Sequence, residues 1–204
     1  IGGFIGAKLA LAGEQVLIGS RDEKRAEVAA ESIALAAPQS SVAAATNSEA
    51  ARRADIVFVT VPYAAQRQTL EGIKELLAGK TVVEVVAPLA FSKGVARAIA
   101  VAEGSAALEA QAVASRSTVV AAFQTVSAHA LLDLAKPVEG DVVTCADDEE
   151  AKALVMRLAE RIPSLRAIDG GGLENSHYVE GITALLLNIN RIYKSWSSLR
   201  VVGI

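Results

Sequence analysis

The amino-acid sequence predicts a doubly wound α/β fold with a mainly parallel sheet, and three observations carry that prediction. Short β-branched runs such as QVLIG, DIVFVT, TVVEVV and TVVAA recur along the chain. Ala-rich segments of helical period separate them, the alternation left by parallel strands joined through crossover helices. The runs are apolar at successive positions, as strands are when helices cover both faces of their sheet.

Taken in order, strands are expected at Gln15–Gly19, Asp55–Thr60, Thr81–Val86, Thr118–Ala122, Asp141–Cys145 and Arg166–Asp169, with a short additional one at Val42–Thr46. Helices are expected at 22–36, 63–78, 127–135, 148–161 and 173–195. Asp147 and Glu150 have the spacing of a capping box, and the DDEE run places negative charge at the positive end of a helix dipole, so that helix is expected to be capped by Asp147. Gly170-Gly171-Gly172 marks a sharp turn before the last helix. No repeat or low-complexity linker interrupts the chain. Residues 1–136 are therefore read as a nucleotide-binding domain. Residues 137–204 are read as a small α/β segment with a C-terminal helical extension that packs on it and completes the cleft. A parallel sheet without its central strand leaves ladder groups unpaired, so a first strand is expected ahead of Ile1.

Composition excludes several classes of function. A net charge of -3, with Lys and Arg scattered, leaves no basic stripe for nucleic acid. Although 52% of residues are apolar, no run approaches the roughly eighteen residues of a membrane span, so no membrane partner is expected. The lone Cys145 permits neither an internal disulfide nor a CxxC pair and suits a reducing cytoplasm; within its apolar strand it reads as a small buried hydrophobe. His129 and His177 lack a second ligand at metal spacing, so no metal is expected. No catalytic acid or base stands out either. Tyr178, Ile182, Leu185, Leu186, Ile189 and Tyr193 form a stripe at helical spacing that reads as core or subunit contact, which makes a homodimer the expected assembly.

The chemistry concentrates at strand ends. Ile1-Gly2-Gly3-Phe4-Ile5-Gly6 runs into Ala7-Lys8-Leu9-Ala10 and then, past Gly13, into the run EQVLIGS. Turn, helix and strand in that order suit the end of a Rossmann-type dinucleotide fingerprint, with Gly3, Phe4, Ile5 and Gly6 against a pyrophosphate; a plain tight turn is the competing reading. Where an NAD enzyme places a carboxylate for the ribose hydroxyl, this chain has Ser20 and Arg21, followed one turn later by Arg25. A hydroxyl and guanidinium groups suit the 2′-phosphate of NADP, the alternative being an N-capping Ser20 beside solvated arginines. Thr60-Val61-Pro62 ends the next strand at a position that passes along the cofactor, although Pro62 also fits the first residue of a helix. The polar residues of Gln124 to Ala128 end another strand on the same edge and are expected to face the nicotinamide cleft. With no base in evidence, hydride transfer between two carriers, which needs positioning above all, fits the residues present.

The segments GAKLALAGEQVLIGSRDEKRAE, DIVFVTVPY, VVAAFQTVSAHALLDL and DDEEAKALVMRLAERIPSLRAIDGGGLENSHYVEGITALLLNINRIYK together cover most of the chain. In them the sequence resembles the NADPH-dependent reductases of the deazaflavin coenzyme F420, and 162–193 is the most specific stretch. The resemblance implies that Ser20, Arg21 and Arg25 hold the NADP 2′-phosphate and that Thr60, Val61, Pro62 and Ala128 lie along the cofactor. It implies further that the deazaflavin rests against Gln124, Val126, Gly181, Thr183 and Ile204. The chain departs from an archaeal-type pattern of the family, which has His at Gln124 and Ser at Gly181, and its first helix is about one turn shorter. These departures keep two alternatives open: a reductase of another acceptor, such as a flavin or a flavin-bound metal, and a non-enzymatic NADP-binding protein.

Overall fold

The computed structural model describes residues 1–204. Its first half contains α1 (Gly2–Leu11), β1 (Gln15–Ser20), α2 (Glu23–Ala36), β2 (Ser41–Thr46), α3 (Asn47–Arg53), β3 (Ile56–Val59), α4 (Tyr63–Ile73) and β4 (Thr81–Glu84). There follow β5 (Leu89–Ser92), β6 (Val95–Ala98), α5 (Ala106–Val113), β7 (Thr118–Ala121), α6 (Ala128–Leu132), β8 (Gly140–Thr144), α7 (Glu149–Glu160), β9 (Leu165–Asp169) and α8 (Ser176–Tyr193).

Parallel pairing dominates. β3, β4 and β7 form a sheet in that order, while β1 with β2 and β8 with β9 make separate parallel ladders. β1 and β3 are not hydrogen-bonded to each other, and the strand expected ahead of Ile1 lies outside the described residues. Alternate residues of β4 and its extension point to opposite faces. Val83 and Val85 enter a core shared with Ile5, Leu9, Val142, Val155 and Leu165, whereas Val82 and Val86 enter one shared with Leu70, Ala110 and Val179. The sheet is thus covered on both sides, which is why its strands read as unbroken apolar runs. An antiparallel bridge between Ala121 and Cys145 (2.9 and 3.0 Å) carries the main sheet into the β8–β9 ladder.

Several expectations are corrected. The helix at 63–78 ends as an α-helix at Ile73 and finishes as a 3₁₀ turn over Lys74–Leu77, and that at 127–135 contracts to Ala128–Leu132. Asp148, not Asp147, caps α7 by accepting from Ala151 N–H (2.8 Å). Asp147 instead accepts from Leu173 N–H (2.9 Å) and pins the glycine turn, where Gly171 adopts φ +84°. Of the two readings of the apolar stripe of α8, core and subunit contact, the first does not hold for Tyr178, Leu185 and Tyr193, which are exposed, while Ser176, Val179, Glu180 and Ala184 are the buried residues of the helix.

Three elements escape sequence reading. α3 is only two turns long, and α5 (AALEAQAV) is made largely of small apolar residues that show no polar face. The β5–β6 hairpin turns on Lys93 and Gly94, both at positive φ (49° and 75°), in the manner of the tight hairpin turn for which Asn-Gly is the usual signal.

Candidate functional site

The carboxyl ends of β1, β3, β4 and β7 define one edge, where ligands bind in open α/β sheets. α1 begins against it. A Cβ on Gly2 would fall 2.2 Å from Thr60 Oγ1, so only glycine lets this helix start sit against the end of β3. Phe4 and Ile5 N–H both donate to Ile1 O (3.0 Å), which leaves the Gly2 and Gly3 amides as the free donors of the first turn. Space beside Gly3 is open, with nothing within 4 Å of where a Cβ would stand. The expected pyrophosphate cradle is therefore redistributed. Ile5 is a core residue at 1% exposure, Phe4 packs against the same core, and Gly6 fits the helix against Val16 and Ile18 (3.2 and 3.3 Å from its Cβ position). Gly2 was not anticipated.

At the end of β1 the Ser20 hydroxyl accepts from Asp22 N–H (3.1 Å), and Asp22 rather than Ser20 caps α2 by accepting from Lys24 N–H (3.1 Å). The alternative of Ser20 as cap is thereby excluded, and its proton remains available to donate. Arg21 is exposed. Arg25, 84% exposed, meets only Asp22 at 3.6 Å, a weak pair in water. Asn47, at the start of α3, closes this corner: its Oδ1 lies 3.2 Å from the Cβ position of Gly19. Nothing in the sequence around Asn47 signals that approach, because it depends on β1–β2 register.

Across the edge, the polar residues after β7 turn inward, contrary to expectation. Gln124, at 5% exposure, donates from Nε2 to Glu84 O (2.8 Å), and Thr125 Oγ1 donates to Asp141 O (3.3 Å). Val126 joins the core. Phe123 is fully buried at φ +72°, a conformation that costs a non-glycine residue on the order of 1–3 kcal/mol and persists only where its surroundings hold it. They do so here: Ala122 N–H donates to Glu84 O (3.0 Å), Phe123 tilts against Phe58 at 5.8 Å, and Thr183 Oγ1 donates to Gln124 O (3.0 Å). On α8, Gly181 faces open space. Thr60 and Val61 are half-buried, and exposed Pro62 occupies the cap position of α4, whose first residue is Tyr63. Ala128 is exposed at the start of α6, and the neighbouring His129 stacks on Trp196 (3.9 Å). Ile204 is exposed, its carbonyl accepting from Arg166 Nη1 (3.2 Å).

Sequence reading also missed a set of buried carboxyls behind this edge. Glu84, with no exposed surface, accepts from Val86 N–H (2.7 Å); burial holds its carboxyl well above the usual range, and the nearby Glu180 and Glu109 push the same way. Burial raises Glu180 to about 7 against the lowering effect of two backbone amides. Glu109 lies 3.2 Å from Arg67 Nη2. A single carboxylate in an apolar strand or helix carries no pattern that marks it in a sequence. Burial likewise pushes the Cys145 thiol up to about 11, as befits an inert core residue.

A helix start with free glycine amides, set between parallel strands with a guanidinium just past the end of β1, is the arrangement of a Rossmann-type α/β fold. Residues 1–88 match the family described as NADP oxidoreductase, coenzyme F420-dependent. The chain is 43% identical over 189 residues to the F420-dependent NADP reductase of Methanothermobacter marburgensis, covering 90% of this chain and 84% of that protein. It is 40% identical over 187 residues to that of Methanocaldococcus jannaschii, covering 89% and 84%. The chain belongs to the F420-dependent NADP reductase family. In fold it is similar to the crystal structure of an Arthrobacter sp. FB24 protein, with a TM-score of 0.82 at 23% identity over 98% of this chain and 96% of that one.

Proposed function

We propose that this protein transfers hydride between NADP(H) and the deazaflavin coenzyme F420. One observation carries the reading: a member of this family presents free Gly2 and Gly3 amides against Thr60 beyond the end of β3, the donors of Ser20 and Arg21 at the end of β1, and open space at Gly181 on α8. Gly2 and Gly3 are suited to the pyrophosphate, with Phe4, Ile5 and Gly6 seating the helix behind them. Ser20, Arg21 and Arg25 are suited to the 2′-phosphate, whose oxygens take charge-assisted hydrogen bonds. Thr60, Val61, Pro62 and Ala128 would border the nicotinamide, and Gln124, Val126, Gly181, Thr183 and Ile204 the deazaflavin. Buried Gln124 and Val126 would act through the shape of the wall they form.

When bound, the two carriers supply the donor and acceptor carbons of the hydride. The chain's own contribution is to hold ring against ring and to exclude water from the hydride's path; the one proton that the deazaflavin ring gains on reduction, or loses on oxidation, would exchange with solvent and needs no side-chain acid or base. No metal is required. No helix is long and apolar enough to cross a membrane, and a buried, unpaired thiol suits a reducing cytoplasm. The exposed Tyr178, Leu185 and Ile192, spaced seven residues apart on α8, support a homodimer formed through that helix. NADPH oxidation measured side by side with coenzyme F420, with FMN and without acceptor tests the reading. Coenzyme F420 is expected to turn over fastest. Faster turnover with FMN would favour a flavin acceptor, in keeping with Gln124 and Gly181 standing where relatives of archaeal type have His and Ser. NADP binding without turnover on either would favour a non-enzymatic protein.

A further inference from the structure

Three of the polar side chains that tie α8 to the body of the protein share one face, at the i, i+4, i+7 spacing that stacks residues along a helix, and a fourth, Asn188, pairs with Ala96 of β6 through two hydrogen bonds (2.9 and 2.8 Å). Ser176 Oγ donates to Ser105 Oγ (2.7 Å), Glu180 accepts from Ala106 and Ala107 N–H (2.9 and 3.2 Å), and Thr183 donates to Gln124 O (3.0 Å). The amino terminus of α5 is buried, and its first amides need partners outside the helix. Ser105, its own cap, accepts from Leu108 N–H (3.0 Å), so the Ala106 and Ala107 amides depend on Glu180 alone. Glu180 is 4% exposed and forms no ion pair. The groups facing it are Glu84 from the end of β4, with Glu109 of α5 beyond, Cys145 after β8, and His177 on its own helix. No lysine or arginine shares its charge, so the positive end of α5 is its counterpart.

Gly181 follows Glu180 directly and Thr183 lies three residues on; both belong to the residues proposed above to border the deazaflavin. We propose that Glu180 is a positioning residue for the acceptor: by clamping α8 to the amino terminus of α5, it sets where Gly181 and Thr183 stand relative to Gln124. This rests on the reading of the cleft as a deazaflavin site. An ionised carboxylate accepts from both amides with full strength, whereas the protonated acid has one oxygen committed to its proton. Because burial raises Glu180 to about 7, the clamp loosens as pH falls through that value. Global stability runs the other way. A buried acid with a raised pKa stabilises the fold most when protonated, and that contribution declines as pH rises from the unfolded-chain value of about 4.3 toward the folded one.

Steady-state kinetics of wild type, Glu180→Gln and Ser176→Ala, together with amide hydrogen exchange, test the proposal. At about pH 8, one unit above the folded value, Glu180→Gln is expected to lower kcat/KM for coenzyme F420 about tenfold while KM for NADPH changes less than about twofold. The wild-type to variant ratio is expected to shrink to about twofold near pH 6, where wild type has itself taken up the proton; using the ratio cancels any titration of the substrate. Ser176→Ala removes a neighbouring tie but keeps the titrating group, so it is expected to retain the wild-type pH dependence. Equal losses for F420 and NADPH, or a ratio that does not change with pH, would overturn the assignment. Independently of turnover, the Ala106 and Ala107 amides are expected to exchange faster in Glu180→Gln while β1 is unaffected. Unchanged exchange would remove the clamp itself, whereas faster exchange in a protein that does not turn over F420 would keep the clamp and reject the acceptor.

Discussion

Replacing Arg21 with alanine removes a guanidinium that the fold does not use. Arg21 is exposed at the end of β1 and takes part in no intramolecular hydrogen bond or ion pair, so melting is expected to stay within about 1 °C of wild type. Its loss should appear only where a phosphate is present. A hydrogen bond to a charged group contributes roughly 1.5–3 kcal/mol, and an exposed site lies at the lower end because water and salt screen it. Since about 1.4 kcal/mol is tenfold in affinity, NADP(H) should bind about 10- to 30-fold more weakly, with Ser20 and Arg25 still contributing. NAD(H), which offers only a hydroxyl there, should change less than about twofold. Titration of wild type and Arg21→Ala with NADPH and NADH, following nicotinamide fluorescence at low and high salt, measures all of this. The NADPH deficit should narrow as salt rises. Equal losses for both nucleotides, or none for either, would show that Arg21 does not read the phosphate.

Other perturbations have outcomes that the packing dictates. Asp141, buried, is held by Arg166 through two bonds (3.0 and 2.7 Å) and by Val201 N–H (2.6 Å), which docks the C-terminal segment beside β8. Asp141→Ala is expected to cost about 2 kcal/mol, below the figure for a fully buried pair because the Arg166 side chain is 38% exposed, or about 4–8 °C in Tm by calorimetry. The Arg166 guanidinium beside Asp141 holds its carboxyl below the usual carboxylate range, so this stabilisation is present above the unfolded value near pH 4 and is lost as pH falls through the folded one. The gap between wild type and Asp141→Asn should therefore close in acid. Gly170→Ala would place a Cβ 2.6 Å from Cys145 Sγ and 2.7 Å from Val143 Cγ1 and should lower the unfolding free energy measured in urea by about 1–3 kcal/mol. Gly72→Ala, in α4 with nothing within 4 Å, should raise it by about 0.5–1 kcal/mol.

The parts of the fold legible in the sequence are those where one residue pattern serves one local purpose. β-branched runs such as Thr81–Glu84 form strands because they are buried on both faces, and Ser20-Arg21 follows directly from where β1 ends. What the sequence concealed depends on partners far along the chain. Gln124 looks like a cleft residue until Glu84 O claims its side chain, and Glu180 looks like a solvated carboxylate until α5 presents its amides. In α8 the sequence left core and subunit contact as alternatives for the apolar stripe, and only the fold shows Tyr178, Leu185 and Tyr193 exposed while Ser176 and Glu180 are buried beside Val179 and Ala184. Gly2 could be recognised only once Thr60 stood behind it.

The central claim is that this chain brings two carriers into contact for direct hydride transfer without a side-chain acid or base. Reaction of coenzyme F420 with NADPH deuterated on the transferring face of nicotinamide C4, followed by mass spectrometry of the reduced deazaflavin, tests it most directly. The account predicts one deuterium in each product molecule, retained when the reaction is run in ordinary water. Reduced deazaflavin that carries solvent hydrogen in place of the label would contradict it.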